Sequence, residues 1–311
     1  MNHRKKILVT VDASAHSLEA VHYAGEFFSP ENTEIQLFHV DTHIPESFWD
    51  MNLGSGFQRR MASVKSWTLE TQRAMKEQME NARMILLDLG FPYKAVTIKQ
   101  QDSIKGVARD IIDESKNGFD AVIAGRTGIS RVKDLLMGNI ATKLVGKIVG
   151  IPLIIVGAYT NPRKVLIAFD GSEGATRAVE CINAMMVKDA SSVKICYVIR
   201  TISDIYRTAP ADMKMLEEDM FKKTRGVVEP LIENARESLV ASGLKPDNVS
   251  HEIKQNEYSR ARAIVDDATS NRFGTIVVGR RGLSLVEEFF IGRVSKKVLQ
   301  LGGNAAVWIV N

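Results

Sequence analysis

Several features are scarce in this 311-residue chain, and each scarcity excludes a class of protein. It has two cysteines, Cys181 and Cys196, on a helix-like and a strand-like segment and without metal-ligand spacing. That excludes a disulfide scaffold, and both read as reduced core thiols of a cytosolic protein. No apolar run approaches the roughly 20 residues that span a bilayer. The start, Met1-Asn-His-Arg-Lys-Lys6, runs straight into a strand-like segment and lacks the apolar core and cleavage site of a signal peptide, so a cytoplasmic location is expected. The formal charge of +4 is mild, and Lys and Arg are interspersed with acids, so no nucleic-acid stripe is indicated. Gly-x4-Gly-Lys-Ser/Thr is missing, and with it the P-loop route to phosphoryl transfer. Gly-x-Ser-x-Gly is missing too, which removes a nucleophile elbow. Five of the six histidines lie before residue 44 and none joins a cluster with ligand spacing, so no metal site and no catalytic set can be named.

What is present is an ordinary globular composition, 45% hydrophobic and 25% charged, with room for two domains. Ile7-Leu-Val-Thr-Val-Asp12 reads as a buried strand ending in an acid, and Ser14 can cap the helix that carries Leu18, Val21 and Ala24. Glu34 to Val40 is a second strand. Residues 41–60 form an irregular insertion with Phe48 and Trp49. A long helix follows with the stripe Met75, Met79, Ala82 and Leu86, stopped at Gly90 and Pro92. Val96 to Lys99, a helix from Val107, and a closing strand at Ile151 to Val156 complete a first unit, residues 1–157. After a linker the order restarts over residues 164–311. Lys164 to Asp170 parallels Lys6 to Asp12, Gly171-Ser172 parallels Ala13-Ser14, and 199–216 is a second insertion, with Ile205 and Tyr206. Alternating strands and helices in two similar halves predict an α/β fold of two tandem doubly wound parallel-sheet domains, five-stranded and Rossmann-like.

The repeat is sharpest late in each half. Gly125-Arg126-Thr-Gly128 is followed by Gly138, and Gly279-Arg280-Arg-Gly282 by Gly292 at the same spacing. Each follows a buried-looking strand and precedes a helix with apolar positions Ile140, Leu144 and Ile148, or Val294, Val298 and Leu301. A strand, a glycine turn and a helix start can hold a phosphate, because glycine admits close approach and the helix N-terminus offers unpaired amides. Asp12 and Asp170 fall at strand carboxyl ends, beside these turns, where ligands sit in such sheets. They read equally as strand-end residues bonding to turn amides.

The early Val-Asp-Ala-Ser or Phe-Asp-Gly-Ser turn, the late Gly-x2-Gly-x9-Gly motif and the closing apolar strand after Gly-Ile-Pro together resemble the universal stress protein family. The resemblance covers nearly the whole chain, as a tandem of two family domains with an adenine-nucleotide alpha-hydrolase-like fold. It implies ATP, or ADP or AMP, as the ligand, with magnesium an open companion. Residue by residue it carries binding roles onto Asp12, Gly125, Arg126, Gly128, Gly138 and Asn139, and onto Asp170, Gly279, Arg280, Gly282, Gly292, Arg293 and Ser295. The family places Ser or Thr after the third glycine, and here Asn139 and Arg293 stand instead. Two positions further on, Ser295 fits the family and Ala141 does not.

Two functional readings follow. One is a stress-response regulatory protein that binds ATP or ADP in the crevice of one or both domains, with little or slow hydrolysis and no nameable catalytic residue. The other is a nucleotide-independent interaction module acting through the insertions 41–60 and 199–216. Closing strands as apolar as Leu153 to Val156 and Val307 to Val310 are hazardous if bare. Family members commonly pair them across a dimer axis, so the two halves are expected to pair inside one chain as a pseudo-dimer, with a homodimer left open.

Overall fold

The computed structural model describes residues 4–42, 55–127, 137–159, 161–187, 191–200, 211–281 and 291–311, the side chains of 55–62, 211–214 and 256 excepted. Phe48, Trp49, Ile205, Tyr206, Gly128 and Gly282 lie outside the described residues.

The first half runs β1 (Lys5–Thr10), α1 (Ala15–Phe27), β2 (Thr33–Asp41), α2 (Ser55–Asp88), β3 (Val96–Asp102), α3 (Val107–Ser115), β4 (Ala121–Gly125), α4 (Asn139–Lys147) and β5 (Leu153–Val156). The second repeats it as β6 (Lys164–Ala168), α5 (Glu173–Met185), β7 (Ser192–Arg200), α6 (Ala211–Ala241), β8 (Val249–Glu257), α7 (Arg260–Ser270), β9 (Thr275–Gly279), α8 (Arg293–Leu301) and β10 (Ala306–Val310). Ser14 caps α1 by accepting from the Ser17 amide, and Ser172 caps α5 through Ala175. Both insertions are shorter than the sequence implied, because α2 starts at Ser55 and α6 at Ala211.

The strands form one ten-stranded sheet in the order β3-β2-β1-β4-β5-β10-β9-β6-β7-β8. Within each half the pairing is parallel. Successive residues of a parallel strand face opposite helix layers, which is why these strands are apolar throughout. Ile7 and Val9 join the core under α1 and α2, while Leu8 joins the one under α3 and α4. The closing helices bury Leu144, Ile148 and Val298 as read in sequence, and the rest of the stripe is shifted. Ile140 and Leu301 are exposed, and Ala141, Leu144 and Val145, or Ser295, Val298 and Leu299, face the sheet.

The halves meet at β5 and β10, which pair antiparallel with Val307 opposite Ile155 and Trp308 opposite Ile154. The closing strands thus cover each other, as their apolarity required. A buried polar chain ties the same joint. Trp308 Nε1 donates to the Tyr23 hydroxyl at 2.7 Å, which bonds Thr275 Oγ1 at 2.8 Å, and Thr275 donates to the Pro162 carbonyl at 2.6 Å. The linker is therefore part of the core. Tyr159 packs edge-on against Tyr23, with ring centroids 5.3 Å apart. Among the described residues no helix is long and apolar enough to cross a membrane.

Candidate functional site

The carboxyl ends of β6, β7 and β9 open onto a cavity of about 640 Å³ in the second half. Asp170, Gly279, Gly292, Arg293 and Ser295 from the sequence motif all line it. Asp170 lies two residues beyond β6, and its Oδ1 accepts from the Ser172 amide at 3.1 Å and hydroxyl at 2.5 Å. This Asp-Ser pair fixes the turn and points α5 back along the sheet. In the first half, Asp12 Oδ1 accepts from the Ser14 amide at 2.9 Å and from its hydroxyl. Both acids therefore do the turn-bonding work that was one of their two readings.

The motif glycines divide by role. A Cβ on Gly125 would lie 2.8 Å from the His16 carbonyl oxygen, and one on Gly279 would lie 2.6 Å from Gly174 C. The obstructing atoms are backbone in the first turn of α1 or α5, so these two glycines serve helix–strand contact. The third glycines return the chain to the strand end. Gly138 N donates to Arg126 O at 2.9 Å, and Gly292 N to Arg280 O at 2.8 Å. Each is the N-cap of the following helix and offers no side-chain cap, so the first amides of α4 and α8 are left for solvent or a ligand. The Ser295 hydroxyl donates to the Gly279 carbonyl at 2.7 Å and ties α8 to the strand end.

Arg126 and Arg280 are placed elsewhere than a phosphate site requires. Arg126 is 8% exposed and reaches across the joint, with Nη1 donating to Leu299 O at 2.7 Å and Nη2 to Gln300 O at 2.6 Å. Arg280, 3% exposed, returns the contact, donating to Ile148 O at 3.0 Å and Val145 O at 2.8 Å. Each guanidinium thus caps the C-terminus of the other half's closing helix, where the helix dipole favours a cation. Burial lowers the pKa of both.

The cavity wall also contains residues that the motif did not single out: Arg200, Tyr197, Tyr258, Arg260, Arg281 and Lys297. Arg281 is the neighbour of the arginine the sequence suggested. Arg200 and Tyr197 lie at the end of β7, and the rule that ligands sit beyond strand carboxyl ends was the signal for them. Arg293 is exposed and lies at the cavity wall, so its bulk does not fill the space. In the first half, Asn139 is exposed at the start of α4. His39 there bonds the Val11 carbonyl through Nδ1 at 2.7 Å, with Nε2 3.2 Å from Asp41. Cys196 also borders the second-half cavity, and burial pushes its thiol up to about 12, so it is no nucleophile at neutral pH.

A doubly wound α/β sheet in two copies, with a glycine turn and a crevice at the strand carboxyl ends, defines a tandem protein of the Rossmann-like class. The model of the Universal stress protein family matches residues 3–156 and again 161–310, and the chain belongs to that family. It is 29% identical over 171 residues to a universal stress protein of Mycolicibacterium smegmatis, a match covering 53% of this chain and 54% of that one. The chain thus spans about half the length of that relative. It is 25% identical over 142 residues to the universal stress protein YxiE of Bacillus subtilis, covering 44% of this chain and 92% of the relative. Among solved structures, a universal stress protein from Archaeoglobus fulgidus shares the fold at a TM-score of 0.56, with 18% identity and 98% of both chains covered. A functionally unknown protein from Pseudomonas aeruginosa does so at 0.55, with 14% identity, covering 99% of this chain and 92% of that one.

Proposed function

We propose that this chain is a stress-response regulatory protein that binds an adenine nucleotide, ATP or ADP, in the crevice of its second half. The observation that carries this is the single cavity wall shared by Asp170, Gly279, Gly292, Arg293 and Ser295. Its volume suits one small-molecule ligand. The donor set suits an anion: an uncapped helix start at Gly292, with Arg281, Arg293 and Lys297 around it. Phosphates would lie at that end, and the adenosine toward Asp170 and the β6–β7 side. The described wall offers one carboxylate, already engaged by Ser172, and no histidine. That set supports binding with slow hydrolysis, and a magnesium ion would arrive on the phosphates rather than be caged by protein. Arg126 and Arg280 are spent on the joint and take no part.

The test is thermal unfolding of nucleotide-free protein with and without ATP. Ligand at 100 times its dissociation constant adds about 2.7 kcal/mol of stability. Arg281→Ala with Arg293→Ala abolishes the shift if the crevice is the site. No shift in the unsubstituted chain refutes the reading.

One observation favours the interaction-module reading as well. Met215, Leu216, Met220 and Val227 are exposed along the N-terminal part of α6, beside the second insertion. Concentration-dependent sedimentation that Met220→Lys with Val227→Lys suppresses would support that surface as a contact.

A further inference from the structure

Five cationic side chains border the second-half cavity, and they do not form one cluster. Arg281 follows β9, and Arg293 and Lys297 lie in the first two turns of α8. Arg200 ends β7, and Arg260 opens α7, where its Nε donates to the Val198 carbonyl at 3.3 Å. β6 lies between β9 and β7 in the sheet. The strand ends that lead to Arg281 and Arg200 are therefore two strand spacings apart, about 10 Å at ~4.8 Å each. Asp170, two residues beyond β6, sits between them and is the only acid on the described wall. Among the described residues none of the five cations forms an ion pair. Tyr197, its hydroxyl pushed up by burial, shares the cavity wall with both Arg260 and Asp170.

This charge is not a requirement of the fold. The halves superpose in their bonding, since Val11 N to Phe38 O matches Phe169 N to Cys196 O, and Gly138 N to Arg126 O matches Gly292 N to Arg280 O. With that register, Thr42 stands for Arg200, Thr127 for Arg281, Asn139 for Arg293 and Lys143 for Lys297, and the matching starts of α3 and α7 set Val107 against Arg260. At these five described positions the second half carries basic residues on both sides of β6, where the first half carries only Lys143. A nucleoside 5′-phosphate chain lying at the glycine turn satisfies one wall and leaves Arg200 and Arg260 facing the opposite end of the ligand.

Resting on the assignment of this crevice to a nucleotide, we propose that it selects a nucleotide with phosphate at both ends, one at the 5′ position and a second on the ribose. Arg281, Arg293 and Lys297 take the 5′-phosphate. Arg200 and Arg260 take the ribose phosphate, and Tyr258 and Tyr197 flank the path between. Bidentate guanidinium–phosphate contacts give the second phosphate both energy and direction.

The test is calorimetric titration of the full chain with two probes of the same phosphate count, adenosine 3′,5′-bisphosphate and ADP. The bisphosphate is expected to bind at least about tenfold tighter at ~0.1 M salt. Arg200→Ala with Arg260→Ala, both exposed positions, is expected to bring the two within about threefold, the bisphosphate losing several-fold more affinity than ADP does. Equal or weaker binding of the bisphosphate overturns the proposal and leaves the nucleotide site standing. So does an equal loss for both probes in the double variant. Binding of neither probe overturns the nucleotide reading, and this proposal with it.

Discussion

Arg280→Met is the perturbation whose cost the joint between the halves makes largest. The guanidinium donates to two carbonyls, Val145 and Ile148, at the end of α4 while itself only 3% exposed. A hydrogen bond to a charged group contributes about 1.5–3 kcal/mol, and a buried orphan carbonyl costs about 1–3 kcal/mol. Methionine keeps most of the aliphatic stem and so isolates the polar loss. Desolvation of the guanidinium in the native state offsets part of the gain, as its lowered pKa reflects. The net expectation is a loss of about 2–4 kcal/mol, which for a chain of this size lowers Tm by about 4–8 °C. Arg280→Lys falls in between, because an ammonium cannot fork to both carbonyls. Urea denaturation and calorimetry read the effect. The control is Arg262→Ala, whose exposed pair with Asp266 at 3.5 Å is worth under about 0.5 kcal/mol. An Arg280→Met protein within 0.5 kcal/mol of the parent, like the control, would refute the clasp as a stabilising contact.

Three further outcomes are expected. Gly125→Ala and Gly279→Ala drive a Cβ into the backbone of α1 or α5 and should each cost about 1–3 kcal/mol in denaturant titrations without any ligand present. Loss of nucleotide affinity at unchanged stability would contradict this packing role. Tyr23→Phe removes the hydroxyl linking Trp308 to Thr275 and should cost about 1–3 kcal/mol, read by Tm and by tryptophan fluorescence, and a neutral result would show the chain is not a net contributor. Burial pushes the Cys181 and Cys196 thiols up to about 12, above the unfolded value near 9. Their contribution is complete below pH ~9 and lost as pH rises toward 12, so stability should fall above pH 9, with a shallower fall in the Cys181→Ala and Cys196→Ala double variant.

Much of this was legible in the amino-acid order. The repeat, the parallel strands and the pairing of the closing strands follow from apolar runs too continuous to be left uncovered. The N-terminal half of α6 was not legible, because Met215, Leu216, Met220 and Val227 are exposed and give no one-sided stripe to read. The shift from Ile140 to Ala141 as a core position has a similar cause, since α4 presents a small residue to the sheet and a large one to solvent. At the site, the motif led to Asp170, Gly279, Gly292, Arg293 and Ser295 on one wall. It misjudged Arg126 and Arg280, since spacing along the chain says nothing about a side chain crossing to the other half. Arg200 and Arg260 lie about 80 and 20 residues before the second glycine turn, and only the sheet order brings them beside it.

The assignment of the nucleotide to the second-half crevice is tested most directly by photolabelling with 8-azido-ATP, followed by peptide mapping of the adduct. Labelling on segments that contain Tyr197, Tyr258 or the start of α8, competed away by unlabelled ATP, is the predicted result. Competable labelling confined to residues 1–157, or none at all, would contradict it.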